Sequence, residues 1–260
     1  MSTALPSLGL GVGWRPELAL LIGRRADLGF VEILAEDFQH PRRLPVAIEV
    51  LRERGVPVVP HGVSLSLGSA NLPAPSRLDA LGQLARRVNA PFVSEHIAFV
   101  RAGGIESGHL LPVPRTRESL DVVVRNVRAA QARLPVPLVL ENIAALFEWP
   151  ENAIDEEDFI GEVLDRTGAS LLFDLANLYA NARNLGFEAL AWLDRLPLER
   201  VAYVHLAGGI VHADGLYHDT HAHPLPLPVL GLLRSLCERV SPPGVLIERD
   251  DQFPSEGCGG

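Results

Sequence analysis

Two cysteines in 260 residues are too few for a disulfide framework, and neither belongs to a Cys-x-x-Cys pair. Cys237 falls in an apolar helical pattern, where a small core residue is expected, and Cys258 sits in a Gly-rich tail. No apolar run reaches the roughly 18 residues that a spanning helix needs. No basic-flanked apolar stretch opens the chain, so no signal peptide is read. Basic excess is also missing: 23 Lys and Arg face 32 Asp and Glu, a formal net charge of −9. Such a surface repels phosphate backbones, which argues against a nucleic-acid partner. A reduced cytoplasmic protein with no membrane partner is expected. Gly/Ser-rich linkers and low-complexity segments are absent, so one domain is expected.

What is present is alternation. Hydrophobic residues make up 47% and charged residues 21%, a globular balance. Short apolar runs at 8–12, 31–34, 56–60, 92–95, 138–141, 171–173, 201–205 and 245–248 read as strands. Between them, 16–25, 43–54, 76–88, 116–134, 158–167, 187–196 and 226–240 read as helices. Ser76 and Thr116 read as N-caps, Gly55 and Gly168 as helix stops. Strand and helix in turn imply a parallel sheet, and eight repeats over this length favour an α/β fold of the closed (β/α)8 TIM type. The barrel is expected over residues 1–254, with 255–260 a flexible tail. Its eighth helix is expected to be short or missing, because only residues 250–260 follow the last strand. A long connection at 97–115 is expected to serve a site.

Residues with ligand chemistry recur at the C-terminal ends of these strands. They are Glu32, Glu36 and Asp37; His61; Glu95 and His96; Glu141 and Asn142; Asp174 and Asn177; His205, Asp219, His221 and His223; and Glu248 and Asp250. In a barrel all such ends face one rim. One strand-end histidine is usually a hydrogen-bonded structural residue, but so many converging positions are not explained that way. Buried ionised groups must be paired or must hold metal. Lys and Arg are scarce at these ends, Arg249 being the obvious exception. Carboxylates in excess of cations therefore imply bound transition-metal ions. Imidazole with carboxylate and carboxamide, and no thiolate, suits Fe, Mn, Zn or Co without choosing among them.

Other features read as structural. Gly9, Gly11 and Gly13 lack dinucleotide-fingerprint spacing and read as a tight turn after the first strand. Acidic residues at 155–158 suit a helix start. His40, His212 and His218 have no companion at ligand spacing and read as solvent-facing or supporting groups. His109, in the long connection, could reach the barrel mouth.

One family gathers the motifs. His61-Gly62-Val63-Ser64-Leu65-Ser66-Leu67-Gly68, Ser94-Glu95-His96, Glu141-Asn142, Asp174-Leu175-Ala176-Asn177, Val204-His205-Leu206-Ala207-Gly208, Asp219-Thr220-His221 and Glu248-Arg249-Asp250 occur in this order. The ordered set resembles the multinuclear non-haem iron-dependent oxidative enzymes, which include the iron subunit of methanobactin biosynthesis. The resemblance runs from about Gly9 to Pro254. It implies a barrel with two or three Fe ions, ferrous and ferric, and O2 as co-substrate. The substrate it implies is a cysteine, less often another residue, of a ribosomally made precursor peptide, with a separate leader-binding partner protein. Matched motif by motif, the implied ligands are His61, His96, Glu141, Asp174, Asn177, His205, Asp219, His221 and Glu248. Glu141, central among the strands, is the expected bridging carboxylate, and Asp250 and Glu32 are candidates for proton-transfer or supporting roles. The chain departs from the pattern at His109, where Asp is more frequent, at Ala176, where Asn is frequent, and at His218, where an aliphatic residue is usual.

Two other classes stay open on the residues alone. One is a di- or trinuclear zinc or manganese barrel hydrolase or isomerase. The other is a metal-bearing binding protein without turnover.

Overall fold

The structure is a computed structural model that describes residues 5–38 and 44–253. Eight parallel strands close into a barrel: β1 (Gly9–Gly13), β2 (Phe30–Leu34), β3 (Val58–Gly62), β4 (Val93–His96), β5 (Leu138–Glu141), β6 (Ser170–Asp174), β7 (Val201–Leu206) and β8 (Gly244–Ile247). Each pairs with its sequence neighbour, and β8 pairs with β1 to complete the ring. The expected eight strands are all found, with ends moved by a residue or two.

Period-two alternation along these strands builds two cores. Inward-pointing Phe30, Val59, Phe92, Val139, Leu172, Tyr203 and Leu246 fill the barrel interior. Outward-pointing residues such as Val31, Ile33, Val58 and Val204 join a larger core beneath the helices. The inward residue two places further along each of seven strands is polar: Glu32, His61, Ser94, Glu141, Asp174, His205 and Glu248. Those side chains form the layer above the apolar plug. Gly9, Gly11 and Gly13 lie in β1 itself, not in a turn after it. A Cβ on Gly11 would come within 2.6 Å of the Phe30 ring, so this glycine makes room for the plug.

The helices are α1 (Ala19–Arg24), α2 (Val46–Glu53), α3 (Pro75–Val88), α4 (Arg117–Arg133), α5 (Glu156–Thr167), α6 (Leu175–Leu185), α7 (Ala189–Leu193) and α8 (Leu227–Cys237). Thr116 caps α4 by accepting from the Ser119 amide at 3.2 Å, as expected. Ser76 is not a cap, because α3 begins at Pro75 with Ala74 before it. Cys237 is exposed at the end of α8 and not part of the core. Helix α6 was not anticipated: it follows β6 with no intervening loop, and Asn177, Asn181 and Asn184 weaken its helical signature. The 97–115 connection folds as an antiparallel hairpin, Ala98–Ala102 with Ile105–Pro112. Among the described residues no helix follows β8, and Leu10 of β1 and Ile247 of β8 are left 68% and 52% exposed. His40, Arg43, Cys258 and the tail expected at 255–260 lie outside the described residues.

Candidate metal centre

The strand ends, with Asp219 and His221 from the connection after β7, bring eight of the nine implied ligands into linked sets, and Asn177 lines the same cavity. His61 and His96 end β3 and β4, and their Nε2 atoms lie 3.5 and 3.2 Å from Glu141 Oε2. His205 presents Nδ1 to Glu141 Oε1 at 3.4 Å and to Glu248 Oε2 at 3.3 Å. Asp174 offers one oxygen as the N-cap of α6, accepting from the Ala176 and Asn177 amides at 2.6 and 2.8 Å. Its other oxygen has no hydrogen-bond partner. Asp219 lies 2.5 Å from His221 Nε2, and His221 Nδ1 is 3.3 Å from both Glu248 and Asp250. His221 is held at φ 52°, a left-handed backbone that is costly for a β-carbon and recurs at working sites. Asn177 commits its amide nitrogen to the Asn142 carbonyl at 3.0 Å, leaving the amide oxygen as the only atom that could bind an ion.

Three sets of ligand atoms lie within 4.8 Å of one another and are linked through shared residues: His61–His96–Glu141, Glu141–Asp174–His205 and Asp174–Asp219–His221. Glu141 and Asp174 each belong to two sets; Glu141 turns Oε2 to His61 and His96 and Oε1 to His205, the geometry a bridging carboxylate needs, whereas Asp174 has only Oδ2 free. A further set, Glu32–His205–Glu248, draws on the same His205.

Beneath the ligands lies a support of which the sequence pointed only to Glu32. Tyr203 Oη is 2.6 Å from Glu32 Oε2 and 2.8 Å from Ser94 Oγ, and Ser94 Oγ is 2.9 Å from His61 Nδ1. With one proton per hydroxyl, the arrangement that satisfies every atom runs from His61 N–H to Ser94, to Tyr203, to Glu32. It points His61 Nε2 at the cavity and Glu141. His96 Nδ1 faces the Gly62 carbonyl at 3.1 Å, which orients that ring in the same sense. Glu32 also meets His205 Nε2 at 3.1 Å. Only the period-two spacing of Ser94 from His96 and of Tyr203 from His205 could have flagged these residues.

The cation at the centre is Arg15, not Arg249. Arg15 reaches Glu248 Oε1 at 3.1 Å and also pairs with Asp250. Arg249 turns away to the carbonyls of Asp251 and Gln252. Glu95 is likewise no ligand, since it accepts from the Ser64, Leu65 and His96 amides. Asn142 straps β5 to β6 through the Asp174 backbone. His109 is exposed on its hairpin, and Leu110 lines the cavity in its place.

Without metal, protons hold this cluster together. Burial opposes ionisation of Glu141, yet His96, His205 and His61 hold its carboxyl at about 2. Burial would depress His96, but Glu141 and then Glu95 lift it to about 9. Burial, with Asp219 and Glu141 alongside, pushes Asp174 up to about 8. Burial likewise opposes the charged forms of His205 and His221, but facing carboxylates raise both well above the ordinary imidazole value. Even so, Glu141 Oε2, Asp174 Oδ2, His205 Nδ1, Asp219 Oδ1 and His221 Nδ1 are buried without a hydrogen-bond partner. Each such atom costs on the order of 1–3 kcal/mol unless something binds it. Five orphaned donor atoms of metal-ligand type, converging on one cavity, fit bound cations. The cavity holds about 330 Å³, and Leu34, Val63, Leu110 and Ala144 supply apolar parts of its lining.

The sequence model of the RiPP precursor modification enzymes MbnB/TglH/ChrH matches residues 9–257, nearly the whole chain. This chain belongs to that family. Curated relatives include a UPF0276 protein of Streptomyces avermitilis, 53% identical over 260 residues. The alignment takes in 97% of this chain but 53% of that relative, so the chain spans about half its length. A UPF0276 protein of Caulobacter vibrioides is 39% identical over 97% of this chain and 90% of its own. Solved structures that resemble the fold include an Escherichia coli 3-keto-D-glucoside 4-epimerase, at TM-score 0.59 and 15% identity over 96% of this chain and 95% of that one. A D-tagatose 3-epimerase-like protein matches at TM-score 0.60 and 14% identity over 94% and 91%. At such identities the likeness is one of fold, and it agrees with the barrel. No helix among the described residues is long and apolar enough to cross a membrane.

Proposed function

We propose that this protein is an iron-dependent, O2-using enzyme that oxidatively modifies a cysteine, or another residue, of a ribosomally made precursor peptide. It works in the cytoplasm, with a separate protein presenting the leader. The observation that carries the reading is the chain of ligand sets sharing Glu141 and Asp174, inside a member of a precursor-peptide modification family.

His61, His96, Glu141, Asp174, Asn177, His205, Asp219, His221 and Glu248 would hold two or three ions. Iron bound there would supply the one-electron chemistry with O2 that imidazole and carboxylate cannot perform. The chain's own residues do the rest. Ser94 and the Gly62 carbonyl fix the His61 and His96 rings with Nε2 towards the cavity. Glu141, ionised and buried, joins two ligand sets. Glu32, 3.1 Å from His205, and Asp250, 3.3 Å from His221 on the exposed rim, would hold or pass a proton at those rings. Arg15 orients Glu248 and Asp250 from the opposite side. A cavity of about 330 Å³ admits a side chain and its neighbours, so most of a peptide must lie on the rim.

The test is anaerobic purification followed by metal analysis, iron spectroscopy and O2 uptake with a cysteine-containing precursor peptide. Iron in at least two equivalents, with peptide-dependent O2 uptake, is expected. Replacing His61 and His96 together should abolish both. Stoichiometric zinc without iron, and no O2 uptake, would instead support the hydrolase or isomerase class.

A further inference from the structure

Outside the barrel mouth, a second group of ligand-type side chains stands on the hairpin between β7 and α8. Ile210–Val211 pairs antiparallel with Tyr217–His218, in the register Ile210 to His218 and Val211 to Tyr217. Residues at 210, 212, 216 and 218 therefore share one face of the hairpin. His212 and His218 are diagonal neighbours on it, with ring centroids 4.9 Å apart. They are companions after all, contrary to the expectation from spacing. Asp214 comes from the turn between them, its Oδ2 2.9 Å from His218 Nε2. A ligand atom from each of the three lies within 4.8 Å of the others.

The backbone holds this arrangement ready. The turn closes through Gly215 N–H to the His212 carbonyl at 3.0 Å and His212 N–H to the Leu216 carbonyl at 2.8 Å. Gly215 takes φ 83°, which the turn needs and a β-carbon would resist. The Leu216 amide donates to Asp214 Oδ1 at 2.9 Å, and this bond, more than the one to His218, keeps the carboxyl below its usual range. Asn184 of α6 anchors the base by bonding both backbone groups of Tyr217 at 2.8 Å. Two imidazoles and a carboxylate are thus presented together, with water free to complete a coordination shell.

We propose that His212, Asp214 and His218 form a separate surface site for a divalent transition-metal ion of the Zn2+, Ni2+ or Cu2+ kind. Two nitrogen donors disfavour Mg2+ and Ca2+, which take oxygen shells. An ion at roughly 2.0–2.2 Å from each donor replaces the His218–Asp214 hydrogen bond, with the exposed His212 and Asp214 side chains turning towards the half-buried His218. The site shares no residue with the barrel centre, and the proposal does not rest on the iron reading. It does adjoin that centre along the chain, since His218 is bonded to Asp219.

The test uses the full chain and Zn2+ as the probe. Equilibrium dialysis compares the wild type with His212→Ala/His218→Ala, whose folding is checked by circular dichroism. Wild type should retain one Zn2+ equivalent more than the variant. In parallel, carbethoxylation of histidines is mapped by mass spectrometry as Zn2+ is added to the wild type. Modification of His212 and His218 should fall together as the extra equivalent binds. Equal stoichiometry in the two proteins, or modification of His212 and His218 that Zn2+ leaves unchanged, would overturn the proposal.

Discussion

Replacing Tyr203 by Phe tests whether the buried support governs the centre. Tyr203 is fully buried, and its hydroxyl lies 2.6 Å from Glu32 and 2.8 Å from Ser94. A hydrogen bond to a charged group is worth about 1.5–3 kcal/mol. Glu32 keeps His205 and Ser94 keeps His61, and only the Ser94 proton loses its acceptor, so the cost should fall near the middle of that range. At roughly 2–4 °C per kcal/mol for a chain of this size, Tm should drop by about 4–9 °C. The change also releases the Ser94 hydroxyl that orients His61. Loss of such a supporting bond typically weakens metal binding by roughly 10–100-fold. Thermal unfolding of metal-free protein reads the first effect, and metal titration reads the second. A variant with wild-type Tm and wild-type metal affinity would refute the view that this chain of hydroxyls positions the ligands.

Three further outcomes follow from the geometry. Glu141→Gln should lower bound metal by more than one equivalent, because Glu141 serves two ligand sets, whereas His61→Ala should remove one; inductively coupled plasma analysis reads both. In metal-free protein, Asp174 and His96 are held near 8 and 9, above their ordinary values of 3.8 and 6.5. The native state then binds more protons than the unfolded chain, so Tm should fall as pH rises from 6.5 to 8. Glu141, held near 2, gives its full contribution above its ordinary 4.5 and adds no slope there. Metal-loaded protein should lack the fall, because its ligands are already deprotonated; a metal-free Tm that rises over this range would contradict the assignment. Gly11→Ala should cost about 1–3 kcal/mol by pressing on the buried Phe30 ring, measured by denaturant unfolding.

Much of the fold was legible because a closed parallel barrel needs strands apolar on both sides, and such runs stand out between amphipathic helices. The ligands were legible for a related reason: a polar residue ending an apolar strand is conspicuous. Helix α6 was hidden because its asparagines suit turns as well as helices, and its N-cap is Asp174, the last residue of β6. The hairpin at 98–112 was hidden because its glycines read as an open loop.

The sequence by itself determined the kind of chemistry at the rim: imidazoles and carboxylates, with few cations, at successive strand ends. Pairing is another matter, since it depends on contacts between residues far apart in the chain. Tertiary structure alone decided that Arg15 and not Arg249 faces the carboxylates, that Glu95 is consumed by amides while Glu141 is not, and that Tyr203 joins Glu32 to Ser94. It also brought His212 and His218 together across a hairpin. In each case the sequence names a group able to bind, but only the packed backbone settles which partner lies within about 3 Å of it.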